Sequence, residues 1–153
     1  MTPDQKTATL TTIFSEVLAD LAFMFNDDVD EAPTPVAGDV WLEAEISYHG
    51  PQRGTLRFRC PRLFSEQLAA NLLGIDIDST EASDQSADAV KEFMNIVCGQ
   101  LITAIHGTEA VFDLTIPTLR ELSETPSMPD EQDANSSTLV VEEQRLHLAY
   151  FPG

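Results

Sequence analysis

The sequence predicts an α+β domain with helices packed on a mostly antiparallel sheet. Two long segments repeat apolar side chains at helical spacing, several short ones alternate apolar with polar residues, and the helices are segregated from the strands. The 153 residues fit one domain, 1–153, able to bury around 70% of its unfolded surface without staples.

The elements follow in order. From about Gln5 to Phe25, Leu10, Ile13, Phe14, Val17, Leu18, Leu21 and Phe25 recur on one helical face. An acidic, Pro-containing loop is expected over 26–39. Val40 to Tyr48 then alternates, with Val40, Leu42, Ala44, Ile46 and Tyr48 on one side and Glu43 and Glu45 on the other. The next strand points Leu56, Phe58 and Cys60 inward and Arg57 and Arg59 outward. Folding the pair about Gly50, Pro51 and Gln52 sets Glu45 opposite Arg57 and Glu43 opposite Arg59, a charge ladder suited to a solvated sheet face.

A short helix is opened by Pro61 and closed by Gly74. After a second acidic loop, 76–84, a central amphipathic helix runs from near Ser86 to near Gly107, a glycine placed where helices end. Phe93, Met94, Val97, Cys98 and Leu101 form its apolar face. Val111 to Leu119 alternates again, with Phe112, Leu114 and Ile116 on one side, and Pro117 marks an edge or strand end. The stretch 122–137, acidic and rich in Ser, Pro and Asn, reads as an exposed loop. Strands at Thr138–Glu143 and Arg145–Phe151 complete the order. Phe14-Ser15-Glu16 and Phe64-Ser65-Glu66 begin a shared six-residue pattern, which helix-forming composition explains without duplication.

Charge and chemistry narrow the function. Twenty-six acidic residues against eight basic ones give a net charge of −18, which opposes binding to nucleic acid or an anionic membrane. No apolar run approaches the roughly 20 residues of a membrane span, the N-terminus lacks the shape of a signal peptide, and the expected compartment is the cytoplasm. Cys60 and Cys98 read as buried free thiols. His49, His106 and His147 are scattered singly and read as structural, and no phosphate loop, G-x-S-x-G or H-E-x-x-H is present. No metal or cofactor site is expected in this chain. The arginines between Arg53 and Arg62 are better explained by the Glu43 and Glu45 ladder than by an anion site.

Glu92 and Asn95 remain. Three apart on a helix, they project as neighbours, and an Asn in a helix interior is mildly unfavourable without a local hydrogen bond or a task. The run Glu92-Phe93-Met94-Asn95-Ile96-Val97-Cys98-Gly99 resembles the E-x-x-N-[IV]-x-x-G helix of the CheC/CheX/FliY phosphatases of bacterial chemotaxis. Leu114-Thr115-Ile116-Pro117-Thr118 resembles the Pro-Thr strand that follows this helix in CheX-like proteins, and the order of elements fits across nearly the whole chain. Glu16 is followed by Ala19 and Glu66 by Ala69, so only one complete E-x-x-N copy exists, which points to the CheX-like branch.

The resemblance implies a homodimer joined through its sheets and hydrolysis of the aspartyl-phosphate of a CheY-like response regulator in chemotaxis or a related two-component pathway. It gives Asn95 the task of orienting the attacking water, and Glu92 that of pairing with the receiver's active-site lysine. It assigns Mg²⁺ to the receiver and no cofactor to this chain. Gly99 would permit close approach of a partner, or serve helix–sheet packing. The competing expectation is a non-catalytic adaptor, similar to the middle domain of the flagellar switch protein FliM. Asn95 argues against it; Lys91, a cation beside Glu92, and the bulky Phe93 and Met94 favour it. A small-molecule-binding domain has no cluster of convergent polar groups to support it.

Overall fold

The computed structural model of the chain describes residues 2–27, 39–126 and 135–152. Its elements run α1 (Pro3–Ala22), β1 (Trp41–His49), β2 (Gly54–Pro61), α2 (Arg62–Leu73), α3 (Thr80–His106), β3 (Asp113–Leu114), β4 (Thr118–Leu122), β5 (Ser136–Val141) and β6 (Gln144–Pro152). The sheet is antiparallel throughout, in the order β3-β1-β2-β6-β5, with β4 also paired to β1. The expected α+β class holds. All three helices share one apolar cluster with the sheet face carrying Leu42, Ala44, Ile46, Leu56, Phe58 and Leu148.

Local chemistry sets the helix ends. Thr2 and Gln5 form a reciprocal capping box with Pro3 in the first turn, satisfying amides that have no partner inside the helix. At the other end Phe23 turns left-handed (φ 54°), and its N–H and that of Met24 both donate to the Leu18 carbonyl. The helix therefore stops at Ala22 rather than near Phe25, and Met24 is buried while Phe25 is exposed. In α2, Pro61 and a left-handed Gly74 (φ 67°) stand at the expected ends.

Other sequence-derived boundaries move as well. α3 begins at Thr80, not near Ser86, because the Ser79 hydroxyl accepts from the Ala82 N–H. Acidic residues such as Glu81 suit the positive end of the helix dipole, so much of the expected loop 76–84 is helix. The expected strand 111–119 is split: β3 pairs with the end of β1 and β4 with its beginning. Between them Thr115 bonds Ser47 through its backbone N–H and its hydroxyl, and Pro117 is buried. Ile116, placed on one side with Phe112 and Leu114, is 87% exposed, and Val40 is also exposed outside β1. β5 starts two residues earlier than expected, at Ser136, and turns at Glu142 and Glu143, both left-handed (φ 52° and 62°). The expected loop 26–39 falls largely outside the described residues, as does 127–134 of the expected loop 122–137, whose ends are strand at Leu122 in β4 and at Ser136 and Ser137 in β5.

The register of β1 on β2 is the expected one, with Glu43 opposite Arg59 and Glu45 opposite Arg57. The expected solvation is not. Glu43 is only 3% exposed and is held by Arg57, Arg59 and Arg120, the last on β4. Arg57 thus turns to Glu43 and leaves Glu45 exposed. A buried carboxylate is tolerable when it is paired with opposite charge, and here the three arginines tie β1, β2 and β4 together through it.

Candidate functional site

α3 is the element that carries the site. Phe93 and Met94 are each 1% exposed, and Val97, Cys98 and Leu101 are buried behind them. Phe93 meets Phe14 edge-on with ring centroids 4.8 Å apart, which fixes α3 against α1. Such pairs contribute about 0.5–1.5 kcal/mol beyond their burial. The bulk of Phe93 and Met94 is therefore used inside the core and does not crowd the exposed face of the helix.

On that face Glu92 is exposed and Asn95 half-buried. They do not share one pocket. Asn95 lines a shallow recess of about 580 Å³ with Ile13 of α1 and Ile96, Gly99 and Thr103 of α3. Glu92 lines an adjoining groove of about 260 Å³ walled by Leu21 of α1 and Leu72 and Leu73 of α2. Ile96 belongs to both. Among the described residues, neither the Asn95 amide nor the Glu92 carboxylate has a hydrogen-bond or ion-pair partner. Asn95 thus lacks the local bond that commonly accounts for an asparagine inside a helix.

Gly99 stands one turn beyond Asn95, and a Cβ placed on it would meet nothing within 4 Å. The helix–sheet packing role is thereby excluded, and the space left open is on the Asn95 recess. Lys91 lines neither concavity. It lies about 100° around the helix from Glu92.

The remaining titratable candidates lie elsewhere. The Tyr48 hydroxyl is 2.9 Å from His106 Nε2 and 2.7 Å from the Tyr150 hydroxyl. Burial, then the bond to Tyr150, pushes the Tyr48 pKa up. Partial burial and then Lys6 lower that of His106. His147 is buried beside Trp41 on the outer sheet face, where burial, then Arg59, Arg57 and Arg145, lower its pKa to about 4. Burial raises the Cys60 thiol and pushes Cys98 up to about 12, leaving both as protonated, inert thiols. Among the described residues no group of three His, Cys, Asp or Glu side chains is placed to hold a metal, and no helix is long and apolar enough to cross a membrane.

The family model for the chemotaxis phosphatase CheX matches residues 43–140, which take in the whole of α3 and most of the sheet. The chain belongs to the CheX family. No curated protein matches it. Among solved structures, CheX from Desulfovibrio desulfuricans superposes with a TM-score of 0.68 at 15% identity, covering 97% of this chain and 99% of that one. CheX from Vibrio vulnificus gives 0.70 at 14% identity with the same coverage. The CheX-CheY-BeF3-Mg²⁺ complex from Borrelia burgdorferi gives 0.59 at 18% identity, over 95% of this chain and 96% of that one. At such identities the likeness is one of fold, and it agrees with the CheX-like architecture expected from the element order.

Sequence reasoning singled out Glu92 and Asn95 but missed the walls around them. Leu21 was assigned to the buried face of α1, yet it is 42% exposed at the groove. The usable signal was Leu73 ahead of Gly74, a large apolar residue that falls off the i, i+4 line of Phe64, Leu68 and Leu72.

Proposed function

We propose that this CheX-family chain hydrolyses the aspartyl-phosphate of a CheY-like receiver domain. The observation that carries the proposal is the unpartnered Asn95 amide, half-exposed in an open recess and three residues after the exposed Glu92. An acyl phosphate is already activated. The helper needs chiefly to hold a water in line with the P–O bond and to accommodate developing charge. The Asn95 carboxamide does this without titrating, its oxygen accepting a hydrogen bond from the water as it attacks phosphorus. The bond from phosphorus to the aspartyl oxygen breaks, giving inorganic phosphate and the free carboxylate. The role parallels the water-positioning glutamine of GTPases. Glu92 receives the receiver's lysine through a charge-assisted contact that fixes the docked helix. Mg²⁺, held by the receiver, neutralises charge on the phosphoryl oxygens, so this chain contributes positioning alone.

Support comes from family membership and from a relative seen in complex with CheY. The features that favoured an adaptor also weaken, since Phe93 and Met94 lie in the core and Lys91 lines neither concavity. The homodimer expected from the resemblance is part of this proposal, and light scattering on a size-exclusion peak gives its mass. The test of activity is the decay of each phosphorylated CheY-like receiver encoded in the same genome, with Mg²⁺, in the presence and absence of the chain. Catalytic acceleration at substoichiometric chain supports the phosphatase. Binding without acceleration selects the adaptor.

A further inference from the structure

We propose that the groove beside Glu92 is a second docking element for the receiver, taking an apolar side chain that stands next to a cation. The inference rests on the phosphatase reading and adds to it a specificity surface outside the E-x-x-N pair. The groove is formed where the C-terminal ends of α1 and α2 meet the middle of α3. Leu21, Leu72, Leu73, Phe93 and Ile96 make its apolar surface, and Asp88 and Glu92 line it as well. Leu21 and Leu73 are 42% and 53% exposed, a concentration of water-facing leucine that the fold itself does not need.

Size and charge choose the occupant. At about 260 Å³ the groove is smaller than the roughly 300–1,000 Å³ of small-molecule sites and fits one or two protein side chains. Asp88 and Glu92 stand one turn apart on α3, a like-charge spacing that disfavours the helix, and no ion pair among the described residues reaches either. If Glu92 takes the receiver's lysine, Asp88 presents a second carboxylate about 6 Å along the helix. The complementary surface therefore carries a second Lys or Arg one turn away, with an apolar side chain between the two cations. Ile96, shared with the Asn95 recess, makes the two concavities continuous. A partner seated over Asn95 covers the groove too.

The test titrates the chain against a receiver activated with beryllium fluoride and Mg²⁺, and follows phosphorylated-receiver turnover in parallel, for wild type, Leu73→Asp, Asp88→Asn and Leu63→Asp. Leu63 is as exposed as Leu73 but lies at the other end of α2, outside the groove. Leu73→Asp is expected to raise Kd and KM at least about tenfold, the scale of a buried interface anchor, with kcat at saturation unchanged because Asn95 is intact. Asp88→Asn raises Kd severalfold and flattens its salt dependence, and Leu63→Asp matches wild type. If wild type accelerates decay while Leu73→Asp and Asp88→Asn keep its Kd and KM, the groove is refuted and the phosphatase stands. Binding that is lost in Leu73→Asp but never accelerates decay keeps the groove and removes the phosphatase. A chain that neither binds nor acts on any receiver removes both.

Discussion

At the scale of single residues, Gly99 separates a demand of folding from a demand of docking. Its position is inside a helix, where glycine is about 0.5–1 kcal/mol less favourable than alanine, and nothing within 4 Å opposes an added methyl. Gly99→Ala is therefore expected to raise the urea unfolding free energy by about that amount while lowering kcat/KM toward a phosphorylated receiver severalfold. A variant that gains stability and keeps full activity would show that no partner approaches here. His147 makes a different demand. Its pKa of about 4 in the folded protein lies below its ordinary 6.5, so between those values the unfolded chain binds the extra proton and stability falls as pH drops. The loss amounts to roughly 3 kcal/mol at most. His147→Gln, which cannot titrate, is expected to show a shallower fall in urea midpoint from pH 7 to pH 4.5 than wild type. Parallel pH profiles would place the acid sensitivity in other groups.

At the scale of elements, the β5–β6 hairpin turns through Glu142 and Glu143, both in left-handed backbone. Two-residue turns of this form prefer Asn-Gly, and a left-handed residue with a Cβ is strained. Replacing the pair with Asn-Gly is expected to raise unfolding free energy by about 1 kcal/mol, read from chemical denaturation; an unchanged or lower value would contradict the strain. The same turn shows what a sequence exposes and what it hides. The alternation of Leu139, Val141, Leu146 and Leu148 reveals both strands, because burial on one face imposes period two. Nothing in Glu-Glu announces the turn type. The start of α3 was hidden for a related reason: Thr80 to Asp84 is polar enough for a loop, and the Ser79 cap decides the matter. The break in the 111–119 strand depends on Thr115 bonding to Ser47, a contact 68 residues away that no local pattern encodes. The faces of α3, by contrast, were legible throughout, since 3.6-residue periodicity assigns Phe93 and Val97 inward and Glu92 outward.

At the scale of the whole molecule, charge and packing divide the protein into two sides. The outer sheet face carries arginines Arg57, Arg59 and Arg120 gathered on the buried Glu43, where they serve cohesion. The helical side presents Asp88, Glu92 and the open Asn95 recess. With a net charge of −18, the field of the chain attracts a partner whose docking surface is cationic. The family motif was readable as a string of residues, but the groove around it depends on three helices meeting and was visible only once they were placed. The central claim is that Asn95 works by positioning water, separately from holding the partner. Its most direct test is single-turnover decay of a phosphorylated receiver with Mg²⁺ and saturating wild-type or Asn95→Ala protein, with Kd measured on the same samples. The account predicts a rate lowered by about 10²–10³, the scale for removing one positioned transition-state hydrogen bond, at a Kd within a few fold of wild type. An Asn95→Ala protein that retains the wild-type rate when saturated would contradict it.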